Sequence, residues 1–197
     1  MRQQPISSAI LAAALSACAY HPELLNSDRI EKQFGNYQIV VLGQDAGVRR
    51  SSLNSVADGV STCRTYAVVQ FVDAGVAEIE EPHQDVLAGQ SIGTTFKESG
   101  WNIRKDTLHI GTLAMTDARH PIARLMQLQN GADLAVHVYR MTLEKNEQSI
   151  QYATIIEAHH PDYLTEAALL ELYKIDVEKQ FSSANLAHLL AMIMKTD

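Results

Sequence analysis

The chain reads as α+β: a mainly antiparallel sheet from two hairpins and intervening strands, with helices packed on one face. Three observations predict this. Ala57-Asp58-Gly59 stands between two strand-like runs, Val48 to Val56 and Val60 to Val72, and Asp-Gly in that position is the strongest short-range hairpin signal. A second pair of runs, Leu134 to Leu143 and Ser149 to Ala158, flanks the polar loop Glu144-Lys145-Asn146-Glu147-Gln148. Helical spacing then marks Tyr163 to Ile175, with Leu164, Ala168, Leu172 and Ile175 along one side and Glu166 in the first turn.

The remaining elements follow in chain order. Ser27 as N-cap, Asp28 in the first turn and Gly35 as a stop predict a short helix from Asp28 to Phe34. Tyr37 to Leu42 is a β-prone run ended by Gly43. From Pro82 to Lys97, Val86, Leu87, Ile92 and Phe96 suggest a helix, although Gly89 and Gly93 each cost it about 1 kcal/mol relative to alanine. A helix pressed closely onto the sheet would use both glycines. Asn102 to Ala114 returns to strand, and Pro121 to Gln129 reads as a helix begun by proline and stopped by Asn130-Gly131. Ser182-Ser183 opens a last helix to about Lys195, whose Leu186, Leu189, Leu190 and Ile193 leave little polar surface and predict core packing.

Two segments are alike when laid 77 positions apart: His83, Asp85, Leu87, Ile92, Phe96 and Lys97 fall on His160, Asp162, Leu164, Leu169, Tyr173 and Lys174. Each follows a strand pair holding Tyr-Ala, at Tyr66-Ala67 and Tyr152-Ala153. A duplicated hairpin-helix unit is one reading, and similar amphipathic helices with similar start signals are the other. On the first, Asp85 and Asp162 are structural caps of helix starts, where a carboxylate satisfies free N–H groups and suits the helix dipole.

Length fits one domain with a sizeable core. The formal net charge of −7 argues against nucleic acid and anionic lipid head groups as partners, because both repel an acidic surface. There are two cysteines. Strand alternation puts Cys63 with Ala67, Val69 and Phe71 on the more apolar face, as a small buried hydrophobe.

At the N-terminus, Arg2, the apolar run Ile10-Leu11-Ala12-Ala13-Ala14-Leu15 and the small pair Ser16-Ala17 make a secretory signal, residues 1–17. It is shorter than the roughly 20 apolar residues a membrane span needs. Leu15-Ser16-Ala17-Cys18 resembles the lipobox of bacterial lipoproteins. That resemblance implies cleavage before Cys18, lipid on Cys18 as an anchor, a tether over residues 18–26 and one periplasmic domain over residues 27–197. Ala19, where aspartate would favour the inner membrane in enteric lipoproteins, implies the outer membrane.

Gly89-Gln90-Ser91-Ile92-Gly93 looks like the nucleophile elbow of α/β-hydrolases, with Ser91 as nucleophile and Asp133 with His159 or His160 as candidate partners. The elbow needs a strand before the serine and a helix after it, whereas the upstream chain reads as hairpin. His159-His160-Pro161-Asp162 could suggest a metal site, but adjacent residues of an extended chain point to opposite faces. A strand end, a proline turn and an Asp cap account for the same residues. No metal or other cofactor is expected. The expected function is a non-catalytic, membrane-anchored module that binds another envelope protein. A serine hydrolase using Ser91 and a periplasmic small-molecule carrier are the alternatives, the carrier requiring an apolar pocket between sheet and helices with convergent polar groups.

Overall fold

The computed structural model describes residues 24–45, 47–72, 75–129 and 131–174. The signal segment, Cys18, most of the proposed tether and the last helix lie outside them. The elements are α1 (Asn26–Phe34), β1 (Asn36–Asp45), β2 (Val48–Ala57), β3 (Val60–Phe71), a 3-10 turn (Ala77–Ile79), α2 (Glu80–Leu87), α3 (Ile92–Glu98), β4 (Asn102–Met115), α4 (Pro121–Leu125), β5 (Ala132–Lys145), β6 (Gln148–His159) and α5 (Glu166–Tyr173). The α+β class is as expected.

All six strands form one antiparallel sheet in the order β1-β2-β3-β6-β5-β4. Two three-stranded meanders thus meet along β3 and β6. The hairpin turns carry both predicted signals. Asp58 and Gly59 have φ of 50° and 76°, the paired positive values of a two-residue turn whose twist matches its strands. The second loop is tighter than its five polar residues suggest: Lys145 pairs with Gln148, and Asn146 and Glu147 alone turn the chain, at φ of 48° and 68°.

Side-chain alternation decides which helix lies where. On β5, Leu134, Val136 and Val138 point to one face and pack with Ile122, Ala123 and Met126 of α4 and its end. Ala135, Tyr139 and Met141 point to the other. There α1, the segment before α5 and α5 itself supply Ile30, Leu164 and Leu169, while α2 and α3 supply Val86, Ile92 and Phe96. Helices therefore cover both faces, which corrects the one-face arrangement. The physical reason is connectivity: the segment from β3 to β4 must cross the sheet to its far edge and carries α2 and α3 over one face, whereas the β4–β5 link folds α4 beneath the other.

The stretch from Pro82 to Lys97 is two short helices. Gly89 sits at φ 109°, a conformation that L side chains rarely adopt, and the chain turns there between α2 and α3. Gly93 serves close approach, but to a helix end and not to the sheet: a Cβ on it would lie 2.8 Å from both Leu25 methyls.

Cys63 is buried as expected, but on the opposite face. Leu53 pairs with Thr65 and Asn54 with Cys63, leaving Arg64 as the extra residue of a β-bulge. The bulge shifts alternation by one, so Cys63 joins Tyr66, Val68 and Met115 while Ala67 and Val69 face the other way.

The two segments 77 positions apart take different forms. His83 and Asp85 lie inside α2, whereas His160 and Asp162 precede α5 in a turn. The N-cap of α5 is Thr165, whose Oγ1 accepts from the Ala168 N–H at 3.2 Å. Asp162 donates its amide to His160 Nδ1 at 3.1 Å, and α2 begins after Ile79 with no side-chain cap. Capping by Asp85 and Asp162 is replaced by these arrangements.

Candidate functional site

The meeting of α1 and α3 over the sheet leaves a cleft on the face shared with α2 and α5. Its floor is Ala67 and Val69 of β3 with Ile155 and Glu157 of β6, its walls carry Tyr37, Arg49 and Ser51, and Ser91 to Gly93 with Leu25 to Ser27 form the rim. About 530 Å³ of space lies between these walls, solvent mouth included.

The strand registers fix how its polar groups are spaced. Ser51 pairs with Ala67 and Ala67 with Glu157, and in the next row Arg49 pairs with Val69 and Val69 with Ile155. Arg49 and Ser51, two apart on β2, point to one face and stand two strands, roughly 10 Å, from Glu157. Between them the surface is apolar and low because Ala67 is small.

Arg49 is 2% exposed. Its Nη1 donates to the carbonyls of Val86 at 2.8 Å and Gln90 at 3.0 Å, where α2 ends and the negative pole of its dipole favours a cation. Its Nε is buried with no hydrogen-bond partner among the described residues, and so is Ser51 Oγ. Burial lowers the pKa of the guanidinium from its usual value, and the groups that oppose this are Tyr152 and Tyr37, not carboxylates. The Tyr37 hydroxyl, against Ser91, is pushed up to about 12, chiefly by burial.

Glu157 is the other pole. Oε1 accepts from Asn26 Nδ2 at 3.3 Å and from the Tyr139 hydroxyl at 3.2 Å. Burial alone would raise its pKa, yet Lys105, Arg29 and the Asn26 hydrogen bond, among other neighbours, outweigh it and hold the carboxyl below its ordinary value. His159 Nε2 lies 3.7 Å from Oε2, and Nδ1 is 2.9 Å from Thr65 Oγ1. Burial lowers the His159 pKa to about 4, so its ring is neutral near pH 7. Asn26 joins α1 to this group through Thr65 Oγ1 at 3.2 Å as well. Leu25 and Asn26, read as the end of a tether, are packed parts of the fold.

The residues picked from sequence scatter around this cleft. Ser91 lies on its rim, but α2 and a turn precede it in place of a strand, and its backbone is extended at φ −67° without strain. Its Oγ accepts from Thr94 Oγ1 at 3.3 Å. Among the described residues no histidine bonds to it: His159 is engaged with Thr65, His160 with the Asp162 amide, and Asp133 is exposed at the start of β5. The nucleophile elbow is corrected to a helix N-cap. His159 and His160 part as the extended chain dictates, and no cluster of three potential metal ligands occurs among the described residues.

Arg49, Ser51 and Glu157 were not singled out by sequence reasoning. Their signal was present, though: Arg49 and Ser51 occupy inward positions of an unusually polar β2, and Glu157 interrupts the apolar run Ile155-Ile156…Ala158.

No family model matches the chain, and no curated protein matches it. Among solved structures it is similar to a transcriptional regulator of the GntR family from Enterococcus faecalis V583, at 12% identity and TM-score 0.40, covering 66% of this chain and 93% of that one. It is similar also to the PhnF C-terminal domain, at 12% identity and TM-score 0.40, covering 73% and 79%. A third is the C-terminal domain of Yurk from Bacillus subtilis, at 12% identity and TM-score 0.36, covering 66% and 89%.

The expectation of an outer-membrane, lipid-anchored module that binds another envelope protein is corrected by these matches, which lie with regulator-type domains and not envelope lipoproteins. That function, that location and that partner are withdrawn. Among the described residues no helix is long and apolar enough to cross a membrane. At this level of likeness the matches carry no argument about activity, which rests on the cleft.

Proposed function

We propose that the chain is a small-molecule-binding domain whose ligand sits between the sheet and the ends of α1 and α3. The observation that carries this is the cleft itself: an apolar floor flanked by Arg49 and Ser51 from β2 and by Glu157 from β6, all buried and lining one space. Ligand sites are characteristically concave and mainly apolar, with a few placed polar groups. Burying Arg49 and Ser51 with donors unused is costly, on the order of 1–3 kcal/mol for each unmade hydrogen bond, and a bound ligand would recover that cost.

A thermal-shift screen of small metabolites on the full chain, repeated with Ala67→Leu, tests the reading. Leucine fills the floor without adding charge. The expected result is that compounds raising the Tm of the wild type lose their effect in the variant, whose own Tm stays close to that of the wild type. Equal shifts in both proteins would place binding elsewhere and overturn the proposal.

A further inference from the structure

Resting on that reading, we infer that the ligand carries a carboxylate, held by Arg49 and Ser51 at the β2 side of the cleft, on a short apolar body lying over Ala67 and Val69. The geometry of the arginine leads to this. Both of its hydrogen bonds leave from Nη1, toward Val86 and Gln90, which fixes the guanidinium plane. The edge formed by Nε and Nη2 is thereby turned away from those carbonyls, with Nε buried and unpartnered. Two parallel N–H donors on one edge are the complement of a carboxylate. Ser51 Oγ, also buried and unpartnered, lies two residues along on the same face and offers a third donor.

Charge points the same way. Arg29, Arg49 and Lys105 face this side of the sheet against Glu157, and the last is already bonded to Asn26 and Tyr139. Glu157 stands two strands, roughly 10 Å, from Ser51, with Lys105 and Arg29 acting on it. Arg49 is thus a buried cation without a carboxylate partner among the described residues, and burying an uncompensated charge is among the most costly arrangements in a fold. A ligand anion removes that cost. A single fork plus one hydroxyl suits a monoanionic carboxylate better than a phosphate dianion, which calls for more donors.

Benzoate, benzamide and phenyl phosphate, titrated into the full chain and followed by calorimetry, separate the possibilities. Benzoate should bind at least about tenfold more tightly than benzamide, the fold-change set by a charge-assisted hydrogen bond. Ser51→Ala should weaken benzoate several-fold while leaving benzamide unchanged. Arg49→Gln should abolish the preference, and because Arg49 also ties down the end of α2, the serine variant keeps the test decisive if the arginine variant does not fold. Benzamide binding as well as benzoate, with both lost in Ala67→Leu, would overturn the carboxylate and leave the ligand-binding reading standing. Phenyl phosphate binding more tightly than benzoate would overturn it in favour of phosphate. No binding by any of the three at millimolar concentration would overturn it outright.

Discussion

Acidification should destabilise this fold through His159, and the size of the effect follows from where the ring lies. His159 is 1% exposed between Thr65 and Glu157, and burial depresses its pKa from 6.5 to about 4. In the unfolded chain the same imidazole takes a proton near pH 6.5, so lowering the pH favours the unfolded state until the folded form protonates as well. The contribution is whole above about pH 6.5 and is lost as the pH falls toward 4. At pH 4.5 the unfolded ring is almost fully charged and the folded ring largely neutral. About two pH units of differential protonation, at about 1.36 kcal/mol each, give roughly 2–3 kcal/mol. Urea unfolding at pH 7 and pH 4.5 of the wild type and of His159→Gln measures it. Glutamine keeps a hydrogen-bonding group near Thr65 and does not titrate. The wild type should lose roughly 2–3 kcal/mol more than the variant, on top of the loss that both proteins take through His137 and Glu157, whose depressed pKa values act in the same direction. Equal losses would refute the assignment of a buried neutral ring at this position.

Two further outcomes follow from the packing. Phe96 is fully buried with its ring edge-on to Tyr152 at 4.6 Å, so Phe96→Ala should cost about 3–5 kcal/mol in thermal or urea unfolding, and a loss under about 1 kcal/mol would show that α3 does not anchor the sheet face. Cys63 is buried and its thiol is pushed up to about 12 by burial, so a thiol reagent at pH 8 should label it only as fast as the protein unfolds; rapid labelling of the native protein would contradict its place in the core.

Strand positions and hairpin turns were legible because their signals are local. Asp58-Gly59 prescribes its turn whatever packs around it, and the strands around it, like those at the second turn, run almost as their β-prone residues indicate. The break between α2 and α3 was half legible: the glycines were visible, but whether they meant a tight approach or a turn depended on φ at Gly89, which no spacing reveals. Thr165 was passed over as the cap of α5 because Asp162 matched Asp85 in the comparison of segments, a likeness of residues that does not survive as a likeness of conformation.

The cleft was not legible, for a different reason. Glu157 lies more than a hundred residues of chain beyond Arg49 and Ser51, and they share a space only because β2, β3 and β6 pair in one particular register. Sequence by itself determined the α+β class, the six strands and the acidic surface charge, since these follow from side-chain periodicity, turn chemistry and composition. The tertiary structure alone decided the face on which Cys63 lies, because one bulge at Arg64 inverts the alternation. It alone put helices on both faces, because loop paths and not local propensities carry α2, α3 and α4 across the sheet. And it alone set Arg49, which has no carboxylate partner among the described residues, beside a small alanine floor, because residues distant in sequence become neighbours only when strands pair.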